Sequence, residues 1–419
     1  MAIRSRLRLP PLDMPLLLAA LALACVGLLM VYSATSTPGA HQGLWTRQLV
    51  WAGIALAMGW VVASSHYRAY DALAWPLYVI AIGLLVLVLV KGVGVSAMGA
   101  KRWLDLGPLH FQPSELAKVA TVILLARRFD KEELDLRRLW PWLSALLIVL
   151  IPFALVAKEP DLGTSLTFPV ILIAMYFWAG MPVGQLLLGL SPVLTAVLFF
   201  LTGGLWWSAG LVVLPLVAGL VVMLLVAVRP RLMLLAAVIA LNVGVGYALP
   251  HVWNHMHDYQ KRRIVTFMNP GQDPYHAGYQ IIQSRIAIGS GGLKGTGYLK
   301  GTQKGLAFLP MRHTDFIFSV VGEEWGLLGT VTVVLLYALL VLRGFRLALV
   351  ARSAFASLLA VGVVSALFYH IMVNILMTIG WAPVTGLPLP FISYGGTALV
   401  ANGIQIGLLQ SVAIRRTEL

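Results

Sequence analysis

Long apolar runs alternate with shorter polar segments along almost the whole chain. A helix needs roughly 20 apolar residues to cross a lipid bilayer, and most of these runs approach that length. Because lipid offers no hydrogen-bond partner to the backbone, such runs predict membrane-spanning α-helices. We place about twelve of them, at residues 14–33, 45–63, 72–90, 113–128, 140–157, 164–181, 184–202, 207–228, 231–252, 316–342, 354–377 and 396–414. The pattern predicts an all-α polytopic membrane protein, with residues 1–419 as one integral membrane domain.

One polar segment, residues 254–315, is much longer than the others. It is rich in glycine and carries many ionisable groups, although only 11% of the whole chain is charged. A segment of this length without a function is uncommon in a compact domain. We therefore expect the chemistry outside the bilayer to involve this loop.

Composition and charge fix the class and the topology. The chain is 59% hydrophobic, has a net charge of +14, and contains Cys25 as its one cysteine, so no internal disulfide forms. Basic residues gather in the segments on one side of the predicted bundle, namely Arg4, Arg6, Arg8, Arg68, Arg127, Arg128, Lys131, Arg137, Arg138, Arg229, Arg231, Arg343, Arg346, Arg352, Arg415 and Arg416. The positive-inside rule makes that side cytoplasmic, with both termini inside and the long loop outside. The charge is then explained by topology and anionic lipid, without a nucleic-acid partner.

Charged residues meet apolar sequence at the predicted start of the fourth helix. Segment Lys101–Gly107 is followed by Gln112–Lys118, in which Glu115 and Lys118 are three residues apart and share one helix face. One interpretation is an interfacial anchor at Trp103 beside a structural ion pair. The other is that the pair lines a polar cavity, because charged groups inside a membrane are costly and usually functional.

A second charged segment, Lys158–Thr164, places two carboxylates at a junction between helices. Asp161 suits the N-cap of the following helix, where its oxygens would accept from backbone N–H groups. Alternatively, Asp161 faces the same cavity and holds a divalent cation such as Mg²⁺ or Mn²⁺ through oxygen ligands.

The long loop contains three local patterns. Asn269–Pro274 includes Asp273 and has the composition of a turn. Residues 279–289 follow helical spacing and suggest a short amphipathic helix along the outer membrane surface. The glycines of residues 289–301, interleaved with lysines, form either a flexible linker or a loop that wraps an anion with backbone amides.

Taken in order, several short motifs resemble those of the SEDS family, the shape, elongation, division and sporulation proteins. They are Lys101–Gly107, Gln112–Glu115 with Lys118, Pro160–Thr164, His313–Phe318 and Ile392–Gly396. The resemblance covers nearly the whole chain. Residues 257–260, 286–292 and 301–303 resemble the elongation branch of the family more than the division branch.

The resemblance implies a peptidoglycan glycosyltransferase that polymerises lipid II at the outer face of the bacterial cytoplasmic (inner) membrane during cell elongation. Its implied partners are a class B penicillin-binding protein transpeptidase and the elongation machinery. The family's essential loop aspartate corresponds to Asp273. Substrate-binding positions implied by the motifs, together with one basic position before the second helix, are Arg47, Arg102, Trp103, Gln112, Glu115, Lys118, Asp161, His313, Asp315 and Ser393.

The expected chemistry suits these residue types. The 4-hydroxyl of one sugar attacks the anomeric carbon of another, and polyprenyl pyrophosphate leaves with inversion. Such a reaction needs a carboxylate base near the hydroxyl and positive charge near the leaving group. Asp273 is the candidate base, and Arg47, Arg102 and Lys118, with a divalent cation as candidate cofactor, would hold the pyrophosphate.

One departure and two alternatives remain. Members of the family usually have ten helices, whereas residues 181–250 look longer by one helical pair. A lipid II flippase would also explain a polar cavity, although we find no repeat of the kind common in transporters. A scaffold for a penicillin-binding protein would explain the fold, but it has no need for buried charges such as Glu115 and Lys118.

Overall fold

The structure is a computed structural model that describes residues 12–36, 43–90, 94–97, 100–105, 110–131, 139–201, 232–256, 261, 265–267, 277–301 and 311–416. Its helices are α1 (Met14–Thr35), α2 (Leu44–Ser64), α3 (Tyr67–Leu89), α4 (Pro113–Lys131), α5 (Leu139–Lys158), α6 (Leu162–Ser165), α7 (Thr167–Trp178), α8 (Val183–Leu201), α9 (Leu232–His255), α10 (Ala277–Ser290), α11 (Ile317–Val350), α12 (Ala354–Thr378) and α13 (Gly396–Ile414). Three strands, β1 (Gly94–Ala97), β2 (Ala100–Asp105) and β3 (His110–Phe111), lie between α3 and α4.

The predicted helical membrane architecture is confirmed. Within the described residues, six helices are long and apolar enough to cross a membrane, namely α1, α2, α3, α11, α12 and α13. The predicted span at 164–181 is divided, because the short helix α6 ends before α7 begins. The predicted span at 207–228 lies outside the described residues, so the total of twelve stays a prediction.

The chain divides into two compact units. The first contains Met1–Met175 and Tyr279–Leu419, and the second contains Tyr176–Gly278. In the first unit α12 and α13 are mostly buried, whereas α2 and α3 expose most of their apolar side chains. These two helices and α4, whose residues 117–126 are all buried, therefore form the interior of the first unit.

Glycines allow α13 to lie very close to α2. A Cβ at Gly403 would be 2.4 Å from the carbonyl oxygen of Ala55, and a Cβ at Gly407 would be 2.4 Å from that of Gly59. Small residues at a crossing let two backbones approach, which is a common means of packing helices in membranes. Any larger side chain at Gly403 or Gly407 would push the helices apart.

The three strands form an antiparallel sheet in the order β1-β2-β3, which the sequence analysis did not predict. Val95 pairs with Trp103, and Leu104 pairs with Phe111. The strands are short and their pairing depends on partners in neighbouring segments, so hydropathy alone gives little sign of them. The sheet leads directly into the first turn of α4, which begins at Pro113.

The amphipathic segment of the long loop is a helix, α10, as predicted. It packs against its neighbours through a buried hydroxyl, since Ser284 Oγ lies 2.6 Å from Ser319 Oγ and 2.6 Å from the carbonyl oxygen of Thr378. Ile281 and Ala287 are also buried. One face of α10 is therefore held against α11 and α12.

The glycine-rich segment after α10 packs into a break in α11. Gly326 has a non-helical backbone there, with φ 64°. The amides of Thr296 and Gly297 donate to the carbonyls of Glu323 and Glu324 at 2.9 and 3.1 Å. Of the two alternatives, the one in which such amides wrap an anion does not hold for these two, because they replace helical hydrogen bonds that the kink leaves open.

The second unit contains α8 and α9, which share a buried polar cluster. Asn242 Nδ2 donates to Ser191 Oγ at 2.7 Å, and Thr195 Oγ1 donates to Asn242 Oδ1 at 2.8 Å. Interhelical hydrogen bonds of this kind help helices associate inside a membrane. The interpretation of residues 181–250 as an additional, peripheral helical pair stays a prediction.

Candidate active site

A buried ion pair lies in the first turns of α4. Lys118 Nζ donates to Glu115 Oε1 at 2.9 Å, and each residue is only 3% exposed. The i, i+3 spacing places both side chains on one helix face, as predicted. Nζ also lies 3.0 Å from His370 Nε2 on α12. The same nitrogen of His370 lies 3.2 Å from Thr167 Oγ1, at the start of α7.

A second charged group lies at the junction of α5 and α6. Asp161 caps α6, accepting from the backbone N–H of Thr164 at 3.2 Å and from its hydroxyl at 3.0 Å. Arg102 on β2 approaches the same carboxylate, with Nη1 3.7 Å from Asp161 Oδ2. Gln112 Nε2, just before α4, lies 3.5 Å from Oδ2. Asp161 thus has the helix-cap role, one of the two that the sequence left open, and it also lies in a charged cluster.

Arg102 also fixes the backbone of this junction. Its guanidinium donates to the carbonyl of Glu159 at 3.4 Å and to that of Pro160. Arginine offers five N–H donors in a planar fork, so one side chain can satisfy two carbonyls and a carboxylate together. The Arg102 side chain therefore holds the sheet against the α5–α6 junction.

Glu159 is the least satisfied group in the cluster. It is 1% exposed, and neither carboxylate oxygen has a hydrogen-bond partner within the part of the chain that the structure describes. The pKa of Glu159 is raised to about 8, chiefly by burial and also by the charge of Asp161, while Arg102 opposes the change. A buried polar group without a partner is rare and calls for a functional or structural reason.

Contacts from α12 join the two charged groups. Tyr369 donates its hydroxyl to the carbonyl of Gly163 in α6 at 3.1 Å, while the adjacent His370 contacts Lys118. A Cβ at Gly163 would lie 2.9 Å from the Cβ of Thr385, so the segment after α12 packs directly on α6. Four parts of the fold thus converge here: the sheet, the start of α4, the α5–α6 junction and the second half of α12 with the segment that follows it.

A third cluster joins the turn before α11 to the segment before α13. Ser393 Oγ donates to the carbonyl of Thr314 at 2.6 Å and accepts from the N–H of Leu389 at 2.7 Å. The His313 ring packs edge-on against Tyr394 at 6.0 Å. The Ser393 hydroxyl thus both donates and accepts a hydrogen bond within the fold, and it links the two segments.

Polar side chains from α2 and α12 complete this third cluster. Gln48 Nε2 donates to the carbonyl of Ser393 at 3.1 Å, and Asn374 Nδ2 donates to that of Asp315 at 3.0 Å. Burial raises the pKa of Tyr394, whereas a hydrogen bond and the charge of Arg47 lower it. Arg47 therefore lies beside the loop that carries Ser393.

The family model for FtsW, RodA and SpoVE, described as cell cycle protein, matches residues 14–206 and 190–418. The chain belongs to this family, the SEDS proteins. The peptidoglycan glycosyltransferase MrdB of Escherichia coli strain K12 is 38% identical over 413 residues, covering 97% of this chain and 95% of MrdB. The probable peptidoglycan glycosyltransferase FtsW of Geobacter metallireducens is 36% identical over 409 residues, covering 96% of this chain and 95% of that protein.

Solved structures of SEDS proteins have the same fold. A chain in the structure reported as "Structural coordination of polymerization and crosslinking by a peptidoglycan synthase complex" aligns with a TM-score of 0.73 and 30% identity, over 97% of this chain and 99% of that one. The rod shape determining protein RodA of Thermus thermophilus aligns with a TM-score of 0.63 and 27% identity, over 97% of this chain and 98% of that one. The protein is therefore a multi-pass membrane protein of the SEDS fold.

The structure brings most of the predicted SEDS site residues into these clusters. Arg102, Gln112, Glu115, Lys118 and Asp161 lie in the first two groups, and Arg47, His313, Asp315 and Ser393 lie in or beside the third. Trp103 is half-buried on β2. Asp273 lies outside the described residues, so its role as base stays a prediction.

Sequence reasoning missed His370, and it included Glu159 only as one of the two carboxylates of Lys158–Thr164, without assigning it to the site. A histidine inside the apolar run of α12 itself indicates a functional site, because an ionisable side chain within a membrane span is costly and usually pairs with another polar group. The partner, Lys118, is 252 positions away and could not be identified from spacing. Glu159 was not assigned because its neighbour Asp161 is the residue with the position and type of a helix cap.

The predicted cation ligand Asp161 does not fit that role well. Its oxygens already accept from Thr164 and Gln112 and face the guanidinium of Arg102, which would repel a cation. The described residues hold no group of three or more His, Cys, Asp or Glu side chains suited to a metal. Mg²⁺ and Mn²⁺ prefer several oxygen ligands, and these residues do not supply such a set.

Proposed function

We propose that this SEDS protein is a peptidoglycan glycosyltransferase that polymerises lipid II into glycan strands at the outer face of the cytoplasmic membrane. The observation that carries the proposal is the buried cation Lys118, with a second cation, Arg102, in the other charged group that α12 contacts. A charged lysine is rarely buried in a membrane protein unless it has a partner and a use. The names of MrdB and FtsW support the same activity.

The proposed orientation places the clusters outside. They lie where α4, α11 and α13 begin and where α5 and α12 end. The opposite end of the first unit carries Arg343 and Arg415. Arg343 donates to Asp13, and Arg415 donates to the last carbonyls of α2. Its concentration of arginine supports a cytoplasmic location under the positive-inside rule, with both termini inside.

In the proposed reaction, the 4-hydroxyl oxygen of one sugar forms a bond to the anomeric carbon of the other. The bond from that carbon to the phosphate oxygen breaks, and polyprenyl pyrophosphate leaves with the electron pair. Asp273 accepts the hydroxyl proton, which makes the attacking oxygen more nucleophilic. Configuration at the anomeric carbon inverts because attack and departure are on opposite faces.

The leaving pyrophosphate gains negative charge in the transition state. Lys118, Arg102 and Arg47 stabilise that charge, and a group already in place does so without reorganising during the reaction. Lys118 is preorganised by two contacts, with Glu115 at 2.9 Å and with His370 at 3.0 Å. Arg102 is preorganised by the two carbonyls and the carboxylate that it contacts.

A class B penicillin-binding protein is the proposed partner, because strands made outside the membrane must be crosslinked to form a wall. The structural relative described as a peptidoglycan synthase complex couples polymerization with crosslinking. The elongation machinery is the proposed cellular setting, following the similarity to MrdB and RodA.

The deciding experiment incubates the purified protein, alone and with its penicillin-binding partner, with fluorescent lipid II and resolves the products on a gel. A ladder of glycan strands is the expected result. Transfer of lipid II across proteoliposome membranes without a ladder would favour a flippase. Neither transfer nor a ladder, with the partner still bound, would favour a scaffold.

A further inference from the structure

His370 is a buried imidazole inside α12, and no motif of the sequence analysis includes it. It is 5% exposed, and its Nε2 lies between two polar groups, 3.0 Å from Lys118 Nζ and 3.2 Å from Thr167 Oγ1. These atoms belong to three different helices, α12, α4 and α7. The ring therefore sits where the helices that carry the first charged group meet.

The chemistry of the two partners fixes the proton on the ring. A lysine ammonium has three N–H donors and no acceptor, so a hydrogen bond to it requires an unprotonated Nε2. The hydroxyl of Thr167, 3.2 Å from the same nitrogen, can donate or accept and does not decide the tautomer; as a donor it shares the single lone pair of Nε2 with Lys118. His370 is then neutral, carries its proton on Nδ1, and accepts at Nε2.

This arrangement directs the remaining donor of Lys118. One N–H of Nζ goes to Glu115 and a second goes to His370. Two fixed hydrogen bonds leave the third N–H in a defined direction on the tetrahedral nitrogen. The third N–H has no acceptor among the residues that the structure describes, which leaves it for a substrate oxygen.

We propose that His370 is a positioning residue for glycosyl transfer, which holds Lys118 so that its third N–H points at the departing pyrophosphate. The inference rests on the proposed function, because it assigns the lysine to the leaving group. Glu115 alone, which shares a helix with Lys118, cannot fix the side chain in three dimensions. His370 supplies the second point of attachment from another helix.

A pair of matched variants separates the acceptor from the shape of the side chain. Gln and Met have similar length, but only Gln offers an amide oxygen that can accept from Lys118. His370→Gln should keep most of the rate, whereas His370→Met should lower kcat by about 10-fold to 10²-fold, since a small misplacement of a charged group is costly. Ser365→Ala is the control, because that buried hydroxyl on α12 bonds to the carbonyl of Gly362 in its own helix.

The division between kcat and KM distinguishes positioning from a general loss of fold. An interaction made mainly in the transition state lowers kcat and leaves KM for fluorescent lipid II nearly unchanged. A purely structural role would lower the yield of folded protein in both variants and leave the turnover of the folded fraction intact. Equal turnover of His370→Gln and His370→Met would therefore overturn the proposal.

A double-mutant cycle with Lys118→Met gives a second, independent measurement. If His370 acts only through Lys118, adding His370→Met to Lys118→Met should cause no further loss. A full additional loss would mean that His370 acts elsewhere, and the proposal would be wrong. The cycle presupposes that the unchanged protein makes a glycan ladder, so absence of that ladder would count against the proposed function itself.

Discussion

At one end of the first unit Asp13 pairs with Arg343, and at the other Lys118 pairs with Glu115. The Asp13 carboxylate caps α1 at the N–H of Leu16, 3.0 Å away, and accepts from Arg343 at 2.5 and 3.1 Å. The backbone of Asp13 exchanges two further hydrogen bonds with Gln410, at 2.8 and 2.9 Å. This clamp joins α1, α11 and α13, and the hydrogen-bonding capacity of its carboxylate is used within the protein.

At the other end, the charged groups have fewer and longer contacts within the protein. The Arg102–Asp161 contact is long at 3.7 Å, and both oxygens of Glu159 lack a hydrogen-bond partner among the described residues. Fully satisfied networks make a fold rigid, whereas polar groups left open in a native structure need another explanation, such as catalysis or binding. The first end is therefore organised for stability, and we infer that the second accommodates a ligand.

The largest effect is expected at Asp273. Asp273→Asn keeps the turn composition of Asn269–Pro274 but cannot accept a proton, so general-base catalysis worth about 10²-fold to 10⁴-fold should be lost. The variant should insert normally, bind its partner and make no glycan ladder from fluorescent lipid II. Near-normal polymer from this variant would exclude Asp273 as the base and direct attention to Asp161 and Glu115.

A somewhat smaller loss is expected at Lys118. Lys118→Met removes a preorganised cation, and turnover per folded molecule should fall by about 10²-fold to 10³-fold. Because the change leaves Glu115 without its cation, the folded fraction is measured by size-exclusion chromatography and used to normalise the rate. Unchanged turnover would remove Lys118 from the site.

The same substitution at the opposite end should affect stability instead. Arg343→Met removes the hydrogen bonds from the guanidinium to the buried Asp13 carboxylate. Because Arg343 is partly exposed, we expect the free energy of unfolding to fall by about 2 kcal/mol. A lower unfolding temperature in detergent is expected, without a change in turnover per folded molecule. A loss of turnover would show that the clamp is coupled to the site.

Glu159 should make stability depend on pH. Its pKa is about 8 in the folded protein, above the ordinary value of 4.5 for a glutamate, so folding favours the protonated carboxyl. Its contribution to stability is present below pH 4.5 and is lost as the pH rises through about 8. Glu159→Gln should remove this decline, raising the unfolding temperature relative to the unchanged protein at pH 8 more than at pH 5. Parallel pH profiles of the two proteins would contradict the prediction.

The smallest effect is expected in the second unit. Asn242→Leu removes the hydrogen bonds to Ser191 and Thr195, and bonds between membrane helices are worth only about 0.6 kcal/mol on average. If residues 181–250 are a peripheral helical pair, polymerisation should continue. A well-folded variant without polymer would move this pair into the catalytic core.

The sequence predicted most helices because hydropathy is a local property that follows the requirements of lipid. The predicted spans at 14–33 and 396–414 correspond to α1, which extends to Thr35, and to α13, with the same ends. The Glu115–Lys118 pair was also predictable, since both residues lie on one helix and their spacing fixes a shared face.

The features that were missed depend on partners far away in the sequence. The glycine-rich segment was interpreted as a linker or an anion loop, because nothing local reveals the kink at Gly326 that it fills. His370 contacts Lys118 only because α12 packs beside α4, and sequence spacing carries no information on that contact. The sheet that carries Arg102 was missed for a similar reason, since its short strands depend on one another.

The most direct test measures Lys118→Met and Arg343→Met together, in the same detergent and with the same fluorescent lipid II. Both variants replace a paired cation by the same apolar side chain, one at each end of the first unit. Turnover per folded molecule should fall by about 10²-fold to 10³-fold for Lys118→Met and remain near that of the unchanged protein for Arg343→Met. Equal turnover in the two variants, whether both lose it or both keep it, would contradict the assignment of chemistry to one end and stability to the other.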